Sequence, residues 1–164
     1  MGSERVPPSD RPEAVVLCGI QGSGKTTFYR SRFAQTHTRI NLDDLRTRRR
    51  ERDLLMSCVA SRRPFVVDNT NPTPDERAVY VQPALAEGFR LLAFWLDVVP
   101  REAIARNAGR EGRARIPVKG ILGTHKRLVV PKPEEGFEAV FRVVPSDEAR
   151  FSVALMYTPS ATGG

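Results

Sequence analysis

Cysteine and histidine are scarce in this 164-residue chain, with two of each. Cys18 and Cys58 lie in separate apolar stretches, and His37 and His125 are scattered. No zinc-ligand spacing or disulfide framework can be built from that set, so both thiols read as small buried hydrophobes. Long hydrophobic runs are also missing. No stretch approaches the ~18 apolar residues of a membrane-spanning helix. The start shows no signal-peptide pattern, and Met1-Gly2-Ser3-Glu4-Arg5-Val6 lacks the Ser or Thr at position 6 that N-myristoylation needs. A cytoplasmic protein with no membrane partner is therefore expected. No internal repeat is present, which excludes a solenoid. The single tryptophan, Trp95, alternates with Phe94 in an apolar run and reads as core.

What the chain does have is a glycine loop. Gly19-Ile20-Gln21-Gly22-Ser23-Gly24-Lys25-Thr26-Thr27 matches G-x-x-x-x-G-K-[ST] in full. The apolar run Ala14 to Cys18 precedes it, and a helix-like segment opens at Lys25. In that strand–loop–helix setting, Gly19, Gly22 and Gly24 free successive amides to point into one concavity. A nucleoside triphosphate fits there, at the positive end of the helix dipole. Ser23, Lys25, Thr26 and Thr27 join the cradle. Lys25 reaches the β- and γ-phosphates, and the Thr26 hydroxyl is the candidate Mg²⁺ ligand.

Along the chain, strands alternate with helices. Residues 1–13 carry three prolines and no periodicity, and read as a mobile tail. A single domain is expected over 14–157, followed by a polar tail at 158–164. Strands are expected at 14–18, 39–41, 65–67, 89–96, 138–143 and 151–156. Helices are expected at 25–35, with Phe28, Phe33 and Ala34 inward, and at 42–62, with Leu54, Leu55, Cys58 and Val59 inward. Others follow at 74–87, with Ala78, Val81, Leu85 and Ala86 inward, and at 100–107 and 118–128. The pattern predicts an α/β, three-layer architecture with a parallel sheet covered on both faces.

The net charge of +7 gathers in two segments. Leu42 to Arg63 has seven Arg against four acids, and Arg101 to Lys119 has six Lys/Arg against two. Their excesses of +3 and +4 account for the whole +7. Either they meet an anionic partner larger than a nucleotide, or they are solvated faces.

Three groups are placed for chemistry. Asp43 and Asp44 stand at a strand-to-helix junction, with Arg46 next. A carboxylate there can take a proton from an acceptor hydroxyl, with Arg46 pairing an anionic group on that acceptor. Alternatively Asp43 is a helix N-cap and Asp44 favours the dipole. Asp68, ending the strand 65–67, fits the metal-holding Asp of other triphosphatases. Asn69, Thr70 and Asn71 suit hydrogen bonds to an acceptor or a plain turn. Arg106, Arg110, Arg113 and Arg115 lie in a glycine-bearing segment at 100–118. It fits either a lid that neutralises the transition state or an exposed basic loop. His125 reads as structural, and His37 as a helix cap.

Taken together, these blocks resemble the kinase domain of polynucleotide 5′-hydroxyl kinases, within the adenylate-kinase-like P-loop kinases. The likeness spans about residues 14 to 143. It rests on Gly19–Thr26, Asn41-Leu42-Asp43-Asp44-Leu45-Arg46 and Asp68-Asn69-Thr70-Asn71-Pro72. Asp97, Arg106-Asn107-x-x-Arg110, Ile116-Pro117, Pro133 and Glu135-Gly136-Phe137 follow in order. The resemblance implies a P-loop NTPase sheet in the order 2-3-1-4-5 with an Arg-rich lid. It implies ATP and Mg²⁺, and a 5′-hydroxyl DNA or RNA end as acceptor. By the same resemblance Asp43 is the general base and Arg46 contacts the acceptor's phosphate. Lys25 and Thr26 hold triphosphate and metal, and Arg110, with Arg106 nearby, is the lid arginine. Small-metabolite kinases and non-catalytic ATP-binding modules share the scaffold.

Overall fold

The computed structural model describes residues 9–110, 112, 115–146 and 150–158. Of the expected tails at 1–13 and 158–164, residues up to 8 and from 159 lie outside the described residues, as does the candidate Arg113. The end of the first is not free, since Glu13 belongs to the first strand and Arg90 N donates to Pro12 O at 2.8 Å. The chain builds β1 (Glu13–Cys18), α1 (Lys25–Arg32), β2 (Thr38–Ile40), α2 (Leu42–Leu45) and α3 (Arg48–Ala60). It continues with β3 (Phe65–Val67), α4 (Pro74–Ala86), β4 (Arg90–Leu96), α5 (Pro100–Ala108) and α6 (Val118–Arg127). A 3₁₀ turn at Pro133–Glu135 leads to β5 (Ala139–Pro145) and β6 (Phe151–Tyr157).

The sheet order is β2-β3-β1-β4-β5-β6. Strands β1 to β5 run parallel in the expected 2-3-1-4-5 order, and β6 adds an antiparallel edge next to β5. The central strand β1 is paired on both edges, by β3 and β4, and covered by helical residues on both faces, so the side chains on both faces are apolar. Ala14 and Val16 pack with Leu55, Cys58, Tyr80 and Val81 on one face. Val15 and Leu17 pack with Phe28, Phe33 and Phe94 on the other. This is the period-2 alternation of a strand placed between helical layers. Phe28 meets Phe33, Phe94 and Phe151 at centroid distances of 5.9, 5.4 and 5.2 Å, which seats α1 on the sheet face formed by β4 and the edge strand β6. Each buried Phe contributes about 1.5–3 kcal/mol.

Four expectations need correction. The single helix at 42–62 is two helices. Arg46 is left-handed at φ 72, and the Thr47 hydroxyl then accepts from Arg50 N to cap a new helix. Helix α1 ends at Arg32, which leaves Ala34 exposed. In α4 the buried face is Arg77, Tyr80, Val81 and Ala84, while Ala78 is half-buried and Leu85 and Ala86 are exposed. Trp95 is only half-buried. Cys18 and Cys58 are free and buried. His37 pairs with Glu13 of β1 at 3.0 Å, while His125 is exposed on α6. Among the described residues, no helix is long and apolar enough to cross a membrane.

Because the five strands are parallel, their C-terminal ends share one edge. The glycine loop leaves β1 there, α2 leaves β2, and Asp68 leaves β3. A third apolar cluster of Ile20, Val98, Ala103 and Ile121 packs α5 and α6 against that loop.

Candidate active site

The loop after β1 is held open by its neighbours. Gly19 N donates to Thr70 O at 3.0 Å, and Ser23 N to Ile20 O at 3.2 Å. Gly22 (φ 81) and Gly24 (φ 98) adopt backbone conformations that a side chain resists. A Cβ on Gly22 would also meet the Ala103 carbonyl of α5 at 2.5 Å. Among the described residues no side chain caps α1, whose N-cap is Gly24, so its first amides face the loop without an intrahelical carbonyl. The Ser23 hydroxyl is buried and has no hydrogen-bond partner among the described residues. Thr27 is exposed on the helix. Unsatisfied donors around a glycine concavity are the chemistry of an anion cradle.

Lys25 lies buried beneath it, donating to Gly19 O at 3.0 Å and Ile20 O at 2.9 Å. Burial lowers its pKa from the ordinary 10.5 to about 8. Asp68 opposes that shift most, Cys18 and Asp43 oppose it too, and Arg110 reinforces it. The ammonium is thus complete only below about 8. The penalty for burying it is full there and relaxes as pH climbs towards 10.5, so the free protein gains stability across that window. Phosphate binding needs the cation, so affinity runs the other way. Binding of a fluorescent ADP, followed from pH 6.5 to 9.5, is expected to weaken by up to about tenfold per unit above pH 8. With Lys25→Arg the slope should vanish.

Next to Lys25 is a corner of hard oxygens. The Thr26 hydroxyl donates to Asp68 Oδ2 at 3.1 Å, and Asp68 is buried. Hydroxyl plus carboxylate suits Mg²⁺. A third group shares the corner: Arg39, to which the sequence reading assigned no role. Its Nε and Nη2 approach Asp68 Oδ2 at 2.9 and 2.8 Å, and Nη2 donates to the Thr26 oxygen at 3.2 Å. Its Nη1 reaches Asp44 Oδ2 at 2.6 Å.

Helix α2 is one turn, capped by Asn41, whose side chain accepts from Asp44 N. The alternative of Asp43 as N-cap is thereby excluded. The Asn69 side-chain Oδ1 accepts from Leu42 N at 3.0 Å and fixes the turn to the end of β3. Asp43 is exposed, has no hydrogen bond or ion pair among the described residues, and lies within electrostatic reach of Lys25. Arg46 is exposed at the end of the turn.

Over the loop, Arg106 Nη1 donates to Ser23 O at 3.3 Å. Asn107 clasps Ile116 through both its amide oxygen and nitrogen, at 2.8 and 2.6 Å, closing the base of the segment that carries Arg110. Arg110 is exposed, and its charge is felt at Lys25. Gln21 ties the loop to Thr124 of α6 at 3.0 Å.

Beside these groups a groove of about 260 Å³ runs between α3 and α4, lined by Arg48, Arg52, Leu55, Thr70, Val79 and Tyr80 among others. Its floor is neutralised. Buried Glu51 accepts from Arg48, the Tyr80 hydroxyl and Asn69 at 2.9, 3.0 and 2.9 Å. Burial foremost, then Glu51, raises the Tyr80 phenol to about 12. Asn71, left-handed at φ 45, donates to Leu17 O at 2.8 Å and so braces the strand ends. Glu51 and Tyr80 escaped the sequence reading because the contacts that join them to each other and to Asn69 lie far apart along the chain.

A parallel 2-3-1-4-5 sheet, a glycine loop with buried Lys25, and an arginine-bearing segment above it define a three-layer P-loop kinase fold. The chain belongs to the AAA_33 family, described as an AAA domain, which it matches over residues 15–128. A bifunctional polynucleotide phosphatase/kinase of Schizosaccharomyces pombe is 28% identical over 141 residues. That alignment covers 82% of this chain and 34% of the relative, so the chain spans about a third of that protein's length. The PezAT toxin–antitoxin system of Streptococcus pneumoniae yields a structural match with TM-score 0.65 and 16% identity, covering 92% of this chain and 73% of the other. A fungal RNA kinase matches with TM-score 0.61 and 17% identity, covering 85% of this chain and 40% of the other. At such identities the structural matches speak for the fold alone. Kinases of this fold bind ATP-type nucleotides, typically with Mg²⁺.

Proposed function

We propose that the protein transfers the γ-phosphoryl group of ATP to the 5′-hydroxyl of a DNA or RNA end. The observation that carries this reading is Asp43. It is an exposed carboxylate, unpaired among the described residues, on the sheet edge that carries the glycine loop and within electrostatic reach of Lys25. Asp43 accepts the proton of the attacking hydroxyl. Lys25, the amides of Gly22 to Thr26 and Ser23 hold the phosphates, with Gly19 and Thr27 framing the loop. Arg110 and Arg106 close over the transferred group and stabilise its charge. Thr26 and Asp68 would hold a magnesium ion, which when bound neutralises the β- and γ-oxygens. Arg46, Asn69 and Thr70 orient the acceptor, and Asn71 braces the strand end beneath them.

The polyanionic acceptor is supported by Arg46, Arg49, Arg50 and Arg52. All four are exposed, and their side chains are without an ion pair among the described residues. The polynucleotide kinase named among the relatives supports the same choice. A second reading, a kinase of a small metabolite, draws on the groove, whose 260 Å³ suits one nucleoside or sugar. The two part on an acceptor panel. With γ-labelled ATP, label is expected on 5′-hydroxyl oligonucleotides and not on nucleosides or sugars. Acceptor binding should also fall steeply with salt. Transfer to a sugar or nucleoside alone, with no salt effect, favours the second reading.

A further inference from the structure

The pairing of Arg39 is unusual for a site read as a metal–triphosphate cradle. A guanidinium stands among the two oxygens that would hold the metal. It bonds Asp68 through Nε and Nη2, and Nη2 also donates to the Thr26 hydroxyl. Asp68 is buried, so without a cation its carboxylate would be costly to keep charged. Arg39 supplies that cation from within the chain. Its own surroundings leave it room to move. Its side chain is 22% exposed, it lies 5.7 Å over the Tyr29 ring, and its remaining nitrogen holds Asp44, which is 65% exposed. A guanidinium moved off Asp68 would have Asp44 as its acidic partner.

We propose that Arg39 is a resident counter-cation of the metal corner, displaced onto Asp44 when a metal–nucleotide binds. The inference rests on reading Gly19–Thr27 as a triphosphate site. Two cations cannot share the Asp68 oxygen and the Thr26 hydroxyl at contact distance. Like charges repel there, and Arg39 already occupies the Asp68 oxygen and one of the two lone pairs of the Thr26 hydroxyl. Displacement therefore raises the metal concentration that nucleotide binding demands. It also carries metal entry into the acceptor side. Asp44 is next to Asp43, so a guanidinium seated wholly on Asp44 tightens the turn that presents the proposed base. Arg39 acts through Asp44 and is a positioning residue.

The test uses the full chain and fluorescent ADP, stripped of metal with a chelator and then titrated with MgCl₂. Arg39→Gln is expected to lower the Mg²⁺ concentration for half-maximal binding by roughly five- to tenfold, the loss of a charge-assisted pair. Affinity for ADP without metal should stay level or fall. Arg39→Lys keeps the charge with one compact donor head and should lie between the two. It also carries the test if Arg39→Gln folds poorly in a thermal melt. An unchanged or higher Mg²⁺ requirement in both variants would overturn the inference while leaving the nucleotide site standing. Failure of the parent chain to bind ADP at any Mg²⁺ concentration would overturn the site itself, and the inference with it.

Discussion

Asp43→Asn is expected to cut phosphoryl transfer by about 10²- to 10⁴-fold, the usual worth of a positioned general base. The substitution is nearly isosteric and falls on an exposed side chain with no hydrogen bond to lose among the described residues. Thermal stability should therefore stay close to that of the parent. Nucleotide affinity should also change little, because the loop, Lys25 and the arginines are untouched. The loss should appear in kcat with KM for ATP nearly constant, the mark of an interaction made in the transition state. Single-turnover transfer to a 5′-hydroxyl oligonucleotide separates chemistry from product release. Turnover within about threefold of the parent would mean that the base lies elsewhere.

The second large effect is on folding. Arg77 is fully buried on α4. Its Nε and Nη2 meet Glu135 at 2.8 and 3.0 Å, and Nη1 donates to Asn71 O at 2.8 Å. Removing one partner of a buried pair leaves an uncompensated charge, at a cost of about 3–5 kcal/mol. Arg77→Ala should lose that much in urea unfolding. Arg77→Met keeps much of the volume, and Arg77→Met with Glu135→Leu together should recover part of the loss, since the pair itself is worth far less than the orphan it leaves. The damage reaches function through Asn71, whose left-handed backbone and bond to Leu17 brace the glycine loop against β3. Arg77→Ala should weaken ADP binding even in buffer where it remains folded.

These two residues mark what could be read in the chain and what could not. The place of Asp43 at a strand-to-helix junction was legible because its signal is local: a short strand, two acids and an arginine, downstream of a glycine loop. The loop was legible for the same reason, since a five-residue apolar run and its glycine spacing specify strand, turn and helix within a few residues. Arg77 was not. Its apolar neighbours put the inward face of α4 one notch away, on Ala78 and Leu85. Glu135, 58 residues on, supplies the charge that makes a buried guanidinium tolerable. Arg39 failed likewise, because Thr26, Asp44 and Asp68 come from three separate elements. The break at Arg46 was missed although its signal is local. Thr47 is a good N-cap, and the arginine run that follows hid it within an unbroken helical pattern. The antiparallel β6 was placed as a strand, but its direction follows from pairing with β5, which periodicity does not encode.

A crystal structure of the full chain with a non-hydrolysable ATP analogue and a 5′-hydroxyl oligonucleotide tests the reading most directly. The terminal phosphate should sit over Lys25, and the 5′-oxygen should lie about 2.6–3.2 Å from the Asp43 carboxylate, opposite the bond to be broken. An acceptor end bound away from α2, with Asp43 still facing solvent, would contradict the account.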